Sequence, residues 1–177
     1  INFGTLRVNS VGAVVIAEDS ATVLSGTSTA GSLDLDSTAS ITDDGTADLT
    51  VSGNADLAAT SIALDDTFDL GSLTFNSAGS VVIAENSATV LSGTSTANSL
   101  DLDSTASITD DGTADLTVTG NADLAGTSIA LDDTFDFGSL TFNSAGSVVI
   151  ADASATVLSG TSTAGSLDLD STASITD

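Results

Sequence analysis

Residues 99–118 read SLDLDSTASITDDGTADLTV. Apolar and polar residues alternate in SLDLD, in ASIT from Ala106 and in ADLTV from Ala114, and a period of two marks a half-buried strand. In SLDLD the alternation sends Leu100 and Leu102 to one face and Asp101 and Asp103 to the other. Between the strands lies DDGT, where Asp bonds its own backbone and Gly supplies the conformations that a tight turn needs. The stretch predicts short strands joined by turns, each strand with a dry face and a wet one.

The same texture continues in both directions. SLTF at Ser72, SVVIA at Ser80, ATVL at Ala88 and SIALD at Ser128 alternate in the same way, separated by NSAG, ENS, SGTSTAN and TGNAD. No segment carries a helical period of useful length. The texture also copies itself: FGTLRVNS at Phe3, LGSLTFNS at Leu70 and FGSLTFNS at Phe137 open three copies of one 67-residue unit, and residues 1–110 match the residues 67 places on at 94 of 110 positions. Units 3–69, 70–136 and 137–177 form one continuous array over residues 1–177, the last of them partial. Ile1 and Asp177 both fall inside a unit, so the chain reads as a fragment of a longer array without capping repeats.

Two all-β architectures use such strands. A tandem of small sandwiches needs about 100 residues per domain, a wide core and a linker between domains. The unit is shorter, six Phe are the only aromatics of the chain, and TFDFGSLTF crosses the unit boundary without a linker. A parallel β-helix, or solenoid, needs only short strands, frequent turns and a narrow aliphatic core, and it is the expected fold. Nine strand pieces per unit at three per coil predict about three coils of about 22 residues. At about 4.8 Å per coil, eight coils would make a rod about 38 Å long.

With SLTF, SLDLD and SIALD taken as one recurring strand, the outward columns read Thr74, Asp101, Ala130 and Asn76, Asp103, Asp132. In the first column no Asp sits over an Asp, and like charges recur about 14 Å apart, beyond the Debye length of about 8 Å. In the second, Asp103 lies over Asp132, and a cation between them would relieve the repulsion.

The formal net charge is −24, from 25 acids against the single base Arg7, yet 41% of residues are apolar and the mean hydropathy is +0.35. Disorder requires low hydrophobicity together with charge, so a folded, acid-coated chain is expected. One cation cannot neutralise phosphates, which excludes nucleic acid and anionic bilayers as partners. Apolar runs such as AVVIA at Ala13 fall short of the ~18 residues of a membrane span. The chain has no Cys, His, Met, Trp, Tyr, Pro or Lys, so neither disulfides nor thiolate or imidazole metal sites are available.

Hard carboxylate oxygens remain. Asp pairs recur at Asp43–Asp44, Asp65–Asp66, Asp110–Asp111 and Asp132–Asp133. Calcium takes six to eight oxygens, and a turn carrying Asp110, Asp111 and Asp115 supplies several. Asp103 and Asp132 complete the candidate set. Against this, Asp and Gly make turns without any metal, and no EF-hand or nonapeptide calcium spacing is present. No cofactor is expected, with calcium as the single candidate.

TSTA after Gly26, Gly93 and Gly160 offers hydroxyls of the kind that ice-binding solenoids array, but it is expected in a Gly-flanked turn and lacks a regular TxT pattern. The Phe residues at 3, 68, 75, 135, 137 and 142 are expected to stack in the core near the seam between units. Catalysis without His, Cys or Lys would fall to paired carboxylates. Every acidic group is copied from unit to unit, whereas an active site is normally built once, so no enzyme is expected.

The runs GSLTFNSAGSVVIAENSATVLSG and SLDLDSTASITDDGTADLTVTGNADLAGTSIAL resemble the repeat regions of filamentous-haemagglutinin-like proteins and other giant bacterial surface adhesins. The resemblance implies a right-handed parallel β-helix, export to the bacterial surface, and service as a long stalk or filament. The resulting expectation is an extracellular structural fibre, the shaft of a filament or adhesin, whose partner is itself, end to end or within a longer chain. A repeated calcium-binding surface module and, more remotely, a carbohydrate-active enzyme are the alternatives.

Overall fold

A computed structural model describes residues 2–177, which form an all-β parallel solenoid of about nine turns without a helix. Every pairing between strands is parallel, and almost all join a strand to the one about a coil later. The alternation seen in the sequence is the alternation of burial: in Ser99–Ser104 both Leu100 and Leu102 are buried and both Asp101 and Asp103 are exposed. A core of Leu, Ile, Val and Phe runs unbroken past both unit boundaries. Full burial of such a side chain contributes about 1.5–3 kcal/mol, repeated at every coil.

The inward residues stack in columns. Ile62, Val81, Leu100, Ala122, Leu140 and Leu158 follow one another up one wall, each a coil after the last. Half a coil away, Val14, Leu33, Ala55, Leu73 and Leu91 stack on a second wall. Val14, Leu33 and Ala55 belong to the second wall, while their copies Val81, Leu100 and Ala122 belong to the first. A coil is thus shorter than anticipated, and one unit fills three and a half coils instead of about three. Successive units face opposite ways.

The exchange of walls takes place at the seam between units. Ser80–Glu85 lies over Ser61–Leu64 and reaches Phe68, whose carbonyl accepts the Asn86 amide. On the other wall, the single strand Thr67–Ser77 carries two short ones, Thr89–Leu91 through Leu73 and Thr94–Ala97 through Asn76. A split wall becomes a whole one, and a whole wall becomes split. The Phe residues fill this region as expected: Phe68, Phe75, Phe135, Phe137 and Phe142 are buried, Phe3 is half-buried, and the rings of Phe135 and Phe137 stack at 5.9 Å.

Two further expectations are corrected. Leu73, Leu100 and Ile129 do not stack on one another: Leu73 pairs with Ala55 and Leu91, Leu100 with Val81 and Ala122, Ile129 with Ile108 and Val148. Similar sequence does not mean the same wall, because the 27 residues from Leu73 to Leu100 and the 29 from Leu100 to Ile129 each span about one and a half coils. In the first two units TSTA forms strands, Thr27–Ala30 and Thr94–Ala97, not turns, and in the third it keeps a single bridge at Thr163. Their outward Thr residues stack on a mixture of Asp and Thr, with Thr27 on Asp48 and Thr29 on Thr50, so no pure hydroxyl array results.

Candidate functional site

The acidic groups gather at one kind of corner. Ser107–Asp110 ends in a turn with Gly112 at φ +82°, and one coil later Asp132 and Asp133 lie within the long strand Ser128–Ser144. The Asp132 amide donates to Asp110 Oδ2 at 2.9 Å, the Gly112 amide to Asp110 Oδ1 at 3.2 Å, and the Ala114 amide to Asp133 Oδ2 at 2.9 Å. One carboxylate oxygen from each of Asp110, Asp132 and Asp133 lies within 4.8 Å of the others. The copy made by Asp43, Asp65 and Asp66 is built the same way.

Burial, with the neighbouring acids, raises the proton affinity of one carboxyl in each corner. Burial pushes the Asp110 carboxyl above the usual range, against the Asp132 and Gly112 amides, and the neighbouring Asp133 adds to the rise. Asp66 is raised by burial and by Asp43 and Asp65, against the Ala47 amide. Each corner can therefore share a proton between carboxyls or gather a hard cation on three oxygens, although backbone amides already occupy part of that acceptor capacity.

Of the five candidates, the corner brings together Asp110 and Asp132. Asp111 turns away and accepts from the Thr113 amide and hydroxyl, and Asp115 lies outside the group, on the outward face beside Thr94 and Thr134. Asp103 is paired with Ala84 and Ala125, so the expected stack of Asp103 over Asp132 does not form. Asp133 completes the cluster in its place. The DD doublet marks it in the sequence, but only the coil register shows which doublets meet.

The expected dilution of charge also fails at one point. Asp34 pairs with Asp56 and Asp101 with Asp123 on adjacent coils, because SLDL stacks on NADL. Burial raises the Asp101 carboxyl, with Asp103 and Asp123 adding to it, and Asp56 is raised by burial with Asp34 and Asp36.

A further group of acids is internal. Glu18, Glu85 and Asp152 occupy the same place in the three units and are all buried, Glu85 being 1% exposed. Glu85 Oε1 accepts the Leu70 amide at 2.9 Å and the Ser87 hydroxyl at 3.1 Å, and Oε2 accepts the Thr89 hydroxyl at 2.6 Å. Burial raises its carboxyl, against these hydrogen bonds, and Asp69 contributes to the rise. The signal was present in SVVIAE, where period two aligns Glu85 with the buried Val81 and Ile83. Beside it a shallow groove of about 410 Å³ is bordered by Asn86, Asp103, Thr105, Thr127 and Asn143.

Fold and corners together define a tandem-repeat parallel β-solenoid. Two segments, residues 11–74 and 78–143, match the family described as repeats of unknown function (DUF5649), and the chain belongs to that family. No match was found to a curated protein or to a solved structure.

Proposed function

We propose that this solenoid is an extracellular structural fibre, the shaft of a bacterial surface filament or adhesin. The observation that carries the reading is continuity: ladders and core pass through both seams without a break, and each unit adds three and a half coils of the same material. The acidic coat keeps neighbouring shafts apart and soluble, as high net charge of one sign does. In this reading the chain is not an enzyme, since its acid clusters recur from unit to unit instead of converging once. The shaft pairs only with more of itself. The test is antibody labelling and protease shaving of intact cells that produce the protein. Label at the cell surface is expected, and a protein protected until lysis would sink the proposal.

Calcium binding is a second reading, favoured by the twin corners Asp43–Asp65–Asp66 and Asp110–Asp132–Asp133. Calorimetric titration should give two sites per chain and a raised melting temperature, and Asp133→Asn should remove one of them. A response no different from that to sodium chloride would eliminate it.

A further inference from the structure

The amide of Leu70 points to the coil above at the place where that coil departs. Asn86 N–H donates to Phe68 C=O, and the chain then turns through Ser87 and Ala88 before Thr89 begins the opposite wall. Two residues beyond Phe68, the Leu70 amide meets the Glu85 side chain instead of a backbone carbonyl. The carboxylate thus stands in for the missing stretch of ladder, as a buried amide requires an acceptor. The first unit does the same with Phe3 and Glu18. In the third, the shorter Asp152 takes the Ser154 amide and hydroxyl and the Thr156 hydroxyl.

No base offsets this charge. The titratable groups on the surrounding elements are acids: Asp65 and Asp66 below, Asp69 on the strand of Leu70, and Asp103 beside Ala84 on the coil above. Arg7, the single base, sits against Gly26 and Thr27. A buried, unpaired carboxylate is costly even when it is hydrogen-bonded.

We propose that Glu85 is an acid-responsive lock on the coil where the two walls exchange: protonation removes its buried charge while its contacts persist, so the joint between the first two units tightens as pH falls. The proton resides on Oε2, and the Thr89 hydroxyl, which donates to the carboxylate, reverses to accept it. Oε1 continues to accept from Leu70 and Ser87. Because burial raises the carboxyl above its ordinary 4.5, the folded state binds the proton more readily than the unfolded one. Tightening therefore begins above that value and is complete once it is passed. Glu18 differs: burial raises its carboxyl too, but the Phe3 amide and the Thr22 and Ser20 hydroxyls outweigh it and hold it below the usual range. Asn2 stands there where the second unit has Asp69.

Hydrogen exchange on the peptide Thr67–Phe75, distinguished from its copy by Leu70, reads the joint directly. After correction for intrinsic exchange, protection should rise several-fold between neutral pH and the ordinary glutamate value of 4.5. Glu85→Gln keeps an acceptor for Leu70 and cannot ionise, so its protection should already exceed that of the wild type at neutral pH and should rise less on acidification, the remaining rise coming from Asp56 beside Thr74 and Asp66 beside Thr67. The same pH response in the wild type and in Glu85→Gln, or none in the wild type, would overturn the proposal. Should Glu85→Gln fail to fold, the carboxyl-carbon NMR titration of Glu85 in the wild type decides: a midpoint at or below that of an exposed glutamate refutes the lock.

Discussion

Gly138 and Gly126 sit on the same long stretch of coil and are glycine for different reasons. A Cβ on Gly138 would meet the Thr119 carbonyl at 2.2 Å, and one on its copy Gly71 would meet the Ser52 carbonyl at 2.6 Å. Backbone cannot retreat as a side chain can, so this close approach between coils needs a residue without Cβ. At Gly126 the nearest atom would be the Ala106 carbonyl at 3.0 Å, and the first unit already carries Ala59 in this place. Gly138→Ala should cost about 1–3 kcal/mol by overpacking, whereas Gly126→Ala should fall within about 0.5 kcal/mol of the wild type. Urea unfolding of the two variants measures both, and equal effects would contradict the account. The buried Glu85 belongs to the same scale: its inward position could be read from the period of SVVIAE, but its partner Leu70 could not.

At the scale of elements, stacked strands decide which charges meet. Asp101 and Asp123 occupy directly paired positions on adjacent coils. Like charges so placed destabilise a sheet by about 0.2–1 kcal/mol. Asp123→Asn should raise the melting temperature slightly at neutral pH, and the gain should shrink in molar salt, where the Debye length falls to about 3 Å. A loss of stability would show that Asp123 makes a favourable contact that outweighs the repulsion. The alternation of SLDLD predicted that both side chains point outward. It did not predict their meeting, because the step from Leu100 to Ala122 depends on how the intervening turns fold.

At the scale of the molecule, five acids shift in the same direction, with Glu18 opposed to them. Asp56, Asp66, Asp101, Asp110 and Glu85 are all raised by burial, each helped by a neighbouring acid. A raised folded-state value means that the fold takes up protons, so its stability is lower at neutral pH and increases as pH falls through those values toward the ordinary 3.8 of Asp and 4.5 of Glu. Acidification also relieves the self-repulsion of a chain carrying −24. Urea midpoints should move upward as pH falls from 7 to the ordinary glutamate value of 4.5, opposite to the usual acid destabilisation. A falling midpoint over that range would contradict the directions assigned to these groups. The half-coil rotation acts at this scale as well: at about 4.8 Å per coil each unit advances the rod by about 17 Å, and a given surface feature returns to the same side only after two units.

The sequence by itself determined the class of fold. Period two with turn residues between strands requires half-buried strands, and near-identical tandem units require each to stack on its copy, so Leu100, Leu102 and the Phe residues were assignable to the core before any coordinates. Tertiary structure alone decided the number of coils in a unit, the wall each copy joins, and hence which carboxylates share a corner. Side-chain alternation is a local property carried by every dipeptide, whereas coil length is the sum of many small turn geometries. Summed over a whole unit, a small difference in coil length is enough to add half a turn. Coil length separates Asp103 from Asp132 and places Asp133 beside Asp110, and the half turn leaves the Leu70 amide to the carboxylate of Glu85.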